Sequence, residues 1–218
     1  MNIDKEINSA LNEMHENHGA DKGTPGEVAV MKVCEEFYQM YGGILYHSFE
    51  YKVDKDLAGN IKRNDNGDLY IENLGSTTEI DILLVTPYRI FPIEVKAYRA
   101  REITLTDYGI EGTFKTDKSP IHQNEMHCRH FYSHVFKNLP DGSTEYIVPI
   151  VCFVDKAKLN DKRSEWQKKY IKACTLNQLR DVLIKENIPG KFLLDLIGID
   201  RVLKECETDH DKYYPVRM

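Results

Sequence analysis

Two carboxylates and an amine stand out near the middle of the chain: Asp81, Glu94 and Lys96. Asp81 interrupts the apolar run Ile80 to Val85, where burying a charge without a partner costs several kcal/mol. Glu94 and Lys96 interrupt the next apolar run at a spacing of i, i+2, which puts both side chains on one face of a strand. Two carboxylates can hold a hard Mg²⁺ ion while water and a substrate phosphate fill its other positions. Such an ion polarises the phosphate and acidifies water. A nearby lysine can orient or help deprotonate that water and offset the charge that builds up in the transition state. The chemistry this grouping suits is phosphodiester hydrolysis, with Asp81 and Glu94 as metal ligands and Lys96 assisting the water. The competing reading makes the same residues polar positions on a half-exposed sheet, with Lys96 a surface ion-pair partner worth about 1 kcal/mol at most.

The elements that would position these groups can be followed along the chain. Residues 4 to 14 suit a short polar helix. Thr24-Pro25-Gly26-Glu27 has capping-box spacing with proline at the first helical position, and apolar residues at spacings of three and four carry a helix on to Tyr41. Strands are expected at Ile44 to Tyr51, around Leu69 to Ile71, at Thr78 to Val85 and at Arg89 to Ala97, although Pro92 weakens a central position for the last. A small hairpin follows over Ile103 to Phe114. Ser119-Pro120 opens a helix reaching about Phe136, Tyr146 to Val154 reads as a strand, and helices follow at Leu176 to Glu186 and about Phe192 to Glu205. This order implies an α/β fold in which helices flank one mixed central sheet.

The stretch Gly75-Ser-Thr-Thr-Glu-Ile-Asp81-Ile-Leu-Leu-Val-Thr-Pro-Tyr-Arg-Ile-Phe-Pro-Ile-Glu94-Val-Lys96-Ala-Tyr resembles the nuclease-related domain group of the PD-(D/E)xK nucleases. The resemblance is specific over about 25 residues and extends more loosely over residues 20 to 187. It implies a restriction-endonuclease-like sheet and a site to which a glutamate of the first helix contributes, matched here by Glu27. It implies that the backbone carbonyl of Val95 serves the metal, and that a helix carrying Pro120 and Gln123 steadies the site, with His127 in the place of a tyrosine. It favours DNA over RNA as substrate, and Mg²⁺ as cofactor with Mn²⁺ able to stand in. Ile80 replaces the proline of the superfamily name, and Pro92 is foreign to the pattern. Glu27 also has a plain structural role open to it, as the third residue of the capping box. Gln123, His127, His130 and His134 share one helical stripe, which could instead be an exposed polar face or a zinc site.

Composition bounds the rest. A chain of 218 residues with 41% hydrophobic and 29% charged residues is expected to fold around one core. We divide it into an N-terminal helical extension (residues 1–19), a nuclease-like domain (20–187) and a C-terminal helix and tail packed on that domain (188–218). No apolar run approaches the roughly 20 residues of a membrane span, and the N-terminus has neither a secretory nor a transit pattern, so a cytoplasmic protein without membrane contact is expected. The five cysteines lack metal-ligand or redox spacing and read as buried thiols. A net charge of −6 gives no overall attraction to a polyanion, so nucleic-acid contact must be local. The basic stretch from Lys156 to Lys172 offers Lys162, Arg163, Lys168 and Lys169, with Trp166 and Tyr170 as stacking rings; a second path would use Arg99, Arg101, Lys115 and Lys118. A non-cleaving nucleic-acid-binding or protein-interaction module on the same fold is the alternative function. A homodimer or protein partner is compatible with either.

Overall fold

The computed structural model describes residues 24–52, 61–63, 69–71, 77–98, 100–111, 119–134, 143–154, 157–190 and 193–218. The helix expected over residues 4–14, with the extension it belongs to, lies outside them. So do Arg99, Lys115 and Lys118.

The architecture is a mixed sheet flanked by helices. Helix α1 (Thr24–Tyr41) leads into β1 (Gly43–Lys52), which pairs antiparallel with β4 (Thr77–Val85). The short strands β2 (Ile61–Arg63) and β3 (Leu69–Ile71) pair with each other. β4 turns into β5 (Ile90–Lys96), again antiparallel. A three-stranded sheet joins β6 (Glu102–Thr106), β7 (Gly109–Ile110) and the later β9 (Lys158–Asp161). Helix α2 (Pro120–His134) and a 3₁₀ turn (Ser143–Tyr146) precede β8 (Ile150–Phe153), which runs parallel to β5. After α3 (Glu165–Tyr170), β10 (Lys172–Thr175) runs parallel to β8, and α4 (Leu176–Glu186) and α5 (Leu196–Cys206) follow. The main sheet thus has the order β10-β8-β5-β4-β1, extended beyond β1 by β11 (Glu207–Asp209) and β12 (Lys212–Arg217). These last two strands occupy the tail, for which the sequence suggests no strand.

Each face of the sheet carries an apolar layer. On one, Val30, Val33 and Phe37 of α1 and Leu179 and Leu183 of α4 pack on Leu45, Ile82, Leu84, Phe91 and Ile93. On the other, Phe131 of α2 and Leu196, Ile199 and Leu203 of α5 cover Ile44, Tyr46, Phe49, Leu83 and Val85. α2 is pinned to β8 by the buried side chain of Asn124, whose Nδ2 donates to the Ile150 carbonyl at 2.8 Å. Two sequence expectations change. Pro92 does not displace β5 from the centre: it is buried opposite Leu83, and the ladder to β8 begins one residue later, at Ile93 with Ile150. The run Tyr146 to Val154 forms a strand only from Ile150, because Pro149 has no N–H to give to a ladder.

The β4–β5 turn sets the register on which the site depends. Thr86 is buried, and its Oγ1 accepts from the N–H groups of Tyr88 (3.1 Å) and Arg89 (2.9 Å), while its hydroxyl donates to Asn187 Oδ1 at 2.7 Å. From this closed turn the pairs run Val85 with Ile90, Leu84 with Phe91, Leu83 with Pro92 and Ile82 with Ile93. Beyond Ile82, β4 stays with β1 and β5 stays with β8, so the two strands part.

Where α1 enters the sheet, Gly43 has φ +122°, and a Cβ there would lie 1.9 Å from the Val85 carbonyl oxygen. Gly43→Ala should therefore destabilise the fold by more than about 2 kcal/mol. Thermal unfolding followed by circular dichroism should show a Tm lower by at least about 4 °C; an unchanged Tm would contradict this close approach.

Candidate active site

The position following Ile82 and Ile93 at the fork belongs to Asp81 and Glu94. With the strands parting there, the Val95 N–H turns to a side chain: it donates to Asp81 Oδ2 at 2.7 Å. Asp81 thus caps the end of the β4–β5 ladder, and this bond is part of what compensates its burial. Glu94 is 2% exposed. Its Oε1 lies 2.5 Å from Lys96 Nζ, and its Oε2 lies 3.2 Å from Nδ1 of His127 on α2. The histidine contact has ion-pair distance without the alignment of a hydrogen bond. His127 is itself held in place through its carbonyl, which accepts from the Tyr51 hydroxyl at 3.0 Å.

A second acid-histidine contact approaches from α1. Glu27 lies in the first turn of α1, and its Oε2 is 3.3 Å from Nε2 of the buried His47 on β1. The other ring nitrogen of His47 is 3.3 Å from Asp211 Oδ2. Between His47 and Phe49, Ser48 has φ 54°, a left-handed conformation uncommon for a residue with a side chain. Its register position is opposite Asp81. On its two sides His47 turns towards α1 while Phe49 packs against Phe131 of α2.

The electrostatics follow from this crowding. Burial, first, and then the Glu94 and Glu27 carboxylates push the Asp81 carboxyl up to about 8, against the opposing pull of the Val95 N–H and Lys96. Burial also acts to raise Glu94, but His127 and Lys96 outweigh it and hold that carboxyl below its usual range. Lys96 is held above its usual range, because Glu94 more than offsets desolvation. The donors fit a hard divalent ion in kind, since an excess of carboxylate over neighbouring cation is what an added cation would relieve. Asp81 and Glu94 would hold it, with Glu27 the third carboxylate acting on the fork. Among the described residues no three His, Cys, Asp or Glu side chains come close enough to enclose an ion.

Asp81, Glu94, Val95 and Lys96 therefore come together, and Glu27 acts on the same fork. Gln123 lies one helical turn before His127 on α2, half-buried. The basic stretch is distributed differently from the expectation. Arg163 is 3% exposed, and its guanidinium donates to both oxygens of Asp161 (2.9 and 2.8 Å) and to the Ile171 carbonyl (3.0 Å). It is a structural arginine and cannot reach a phosphate, which corrects its assignment to nucleic-acid contact. Lys162 pairs with Glu111 at 3.3 Å and Lys168 with Glu165 at 2.9 Å, both at the surface, and Lys169 is exposed. His47 carries no sequence signal, since its acidic neighbours come from α1 and the tail.

The model of the family described as nuclease-related domain matches residues 22–154, more than half of the chain. No curated protein and no solved structure matches it significantly. Among the described residues no helix is long and apolar enough to cross a membrane.

The raised Asp81 carboxyl has a consequence for stability. The folded protein keeps a proton on Asp81 up to about pH 8, whereas the unfolded chain loses it near the usual aspartate value of about 3.9. Between these limits the unfolded state binds fewer protons, so this group's contribution falls as pH rises from about 4 to about 8. Asp81→Asn should remove that slope. Thermal melts in chelator should show the variant more stable than the parent at pH 8, by roughly 1 kcal/mol or more, with the gain shrinking towards pH 4; a gain equal at both ends would contradict the assignment.

Proposed function

The chain belongs to the nuclease-related domain family, and from that premise we propose that it is a metal-dependent nuclease hydrolysing phosphodiester bonds in DNA at the fork between β4 and β5. The observation that carries the reading is the pair Asp81 and Glu94 across the parting strands, with Lys96 in contact with Glu94 at 2.5 Å. A neutral structural ion pair would require one acid and one base. Here a further carboxyl, that of Asp81, is raised by burial first and then by its acidic neighbours, an arrangement that a bound cation would relieve.

Mg²⁺, or Mn²⁺ in its place, would supply charge to polarise the phosphate and lower the pKa of the attacking water. The protein's own groups supply the rest. Asp81 and Glu94 are fixed by the ladder end and by His127, so little reorganisation is needed when the ion and phosphate arrive. Lys96 is the cation nearest both carboxylates; turned from Glu94 towards the phosphate, its ammonium orients water and balances charge on the non-bridging oxygens. His127 keeps Glu94 ionised and oriented. Gln123, on the same face of α2, is assigned to positioning, and Glu27 to support of the Asp81 side of the fork. The Val95 carbonyl is a further donor in this reading, its N–H being already used. Phosphate contacts away from the fork are assigned to the surface lysines Lys162, Lys168 and Lys169. A cytoplasmic setting fits the same reading, since no disulfide joins any of the cysteines.

The test is cleavage of linear, circular and single-stranded DNA, and of RNA, with and without Mg²⁺. Cleavage should require the metal and favour DNA. Asp81→Asn, Glu94→Gln and Lys96→Ala should each lower the rate by at least about 100-fold with folding retained. Gln123→Ala should lower turnover more than it lowers Tm. Metal-independent cleavage, or full activity in the Glu94→Gln variant, would overturn the proposal. Tight DNA binding without cleavage under all conditions would favour a non-cleaving module.

A further inference from the structure

A cavity of about 390 Å³ lies on the flank of α2 turned away from His127, outside the strand fork. Cys128, Ile147 and Pro149 contribute apolar lining, and Trp166 and Tyr170 of α3 complete the wall. These two rings are 67% and 54% exposed, with centroids 4.9 Å apart. Large aromatic rings left to water beside an apolar cavity are costly unless something covers them. Glu125 and Arg129 both line the cavity and pair with each other at 2.7 Å, and the exposed Lys169 places its Nζ 6.0 Å from the Tyr170 ring centre. Gln167, also in the lining, donates through Nε2 to the Asp107 carbonyl at 3.1 Å, while its Oε1 is shielded from water and has no hydrogen-bond partner. A shielded acceptor without a donor costs free energy, which an N–H on an entering ligand recovers after a small movement of the side chain.

Flat π faces, an apolar floor, one unanswered acceptor and a lysine at the rim together match a planar heteroaromatic ring that carries an N–H and is attached to phosphate. We infer that this cavity takes an unpaired base of a single-stranded nucleic acid, stacked on the Trp166 ring with Tyr170, tilted 52° to that ring, closing on the base from the side, Gln167 Oε1 accepting from the base and Lys169 meeting the backbone. The inference rests on the nuclease reading for its choice of a nucleic acid as occupant. It assigns a strand-holding site separate from the fork, reached from the opposite side of the same helix. A base within a duplex has its Watson–Crick edge and both faces occupied, so single strands are the form this site engages.

Trp166 is the single tryptophan of the chain, so its emission reports on this cavity directly. The full chain is titrated in chelating buffer, where no cleavage interferes, with a short oligoadenylate DNA strand and with an abasic strand of equal length and charge. The adenine strand should quench Trp166 and bind at least about tenfold more tightly than the abasic one. Tyr170→Ala and Gln167→Leu should each weaken adenine-strand binding by about tenfold with Tm retained, and leave abasic-strand binding unchanged. Equal affinity for both strands, or binding that leaves Trp166 emission unaltered, would overturn the inference. So would an emission change driven by protein concentration alone, which would mean that a second copy covers the rings. Cleavage of duplex DNA with Mg²⁺, measured separately, keeps the two proposals apart. Quenching without cleavage defeats the fork reading alone, and cleavage without quenching defeats the base site alone.

Discussion

The bond from the Val95 N–H to the Asp81 carboxylate holds together the part of this molecule that matters most. A β-ladder that simply stopped at Ile82 and Ile93 would leave a backbone donor unanswered beside the core. Asp81 answers it at 2.7 Å, and in doing so is drawn into the sheet beside Glu94. The same event ends the pairing of β4 with β5 and opens a fork. Strand parting, carboxylate burial and the approach of two acids are therefore one structural fact. The rest of the fold serves it. The Thr86 turn sets the register upstream, β1 and β8 hold the parted strands to either side, and α1 and α2 bring Glu27 and His127 to the two faces.

The cost of this arrangement lies in burying two acids side by side. Asp81 and Glu94 share one small volume, with Glu27, itself paired with His47, acting on it, and the protein compensates Glu94 more fully than Asp81. Glu94 has Lys96 on one oxygen and His127 near the other and is held ionised. Asp81 is left with a backbone donor and is raised to about 8. A cation bound between the two carboxylates would relieve this imbalance.

Much of this is legible in the residue pattern alone. Alternation and apolar runs mark α1, β1, β4, β5, α2 and α4 nearly to their ends, because each is long, regular and buried on one face or more. The i, i+2 spacing of Glu94 and Lys96 puts both on one side of β5, and they are in contact. What stays hidden depends on contacts between distant segments. His47 follows Leu45 onto the α1 face by ordinary alternation, but the Glu27 and Asp211 it meets there come from distant segments, and the left-handed Ser48 turns Phe49 to the α2 face, which a serine does not announce. Arg163 reads as one cation among many, yet Asp161, two residues before it, and the Ile171 carbonyl draw it into the interior. Pro92 argues against a central strand; a local gap in the β8 ladder removes the objection. The tail strands β11 and β12 are short, and β12 is broken by Pro215, so their place is fixed by the open edge of β1 and by the packing of Tyr213, Tyr214 and Val216 rather than by a strand pattern of their own.

The nuclease reading stands on the fork being a cation seat. A crystal soaked in Mn²⁺ and measured at the manganese absorption edge tests this most directly. An anomalous peak is expected between the carboxylates of Asp81 and Glu94, with Lys96 displaced from Glu94 Oε1. A fork with no peak, Lys96 and His127 still closed on Glu94, would contradict it and return these residues to a structural ion-pair network.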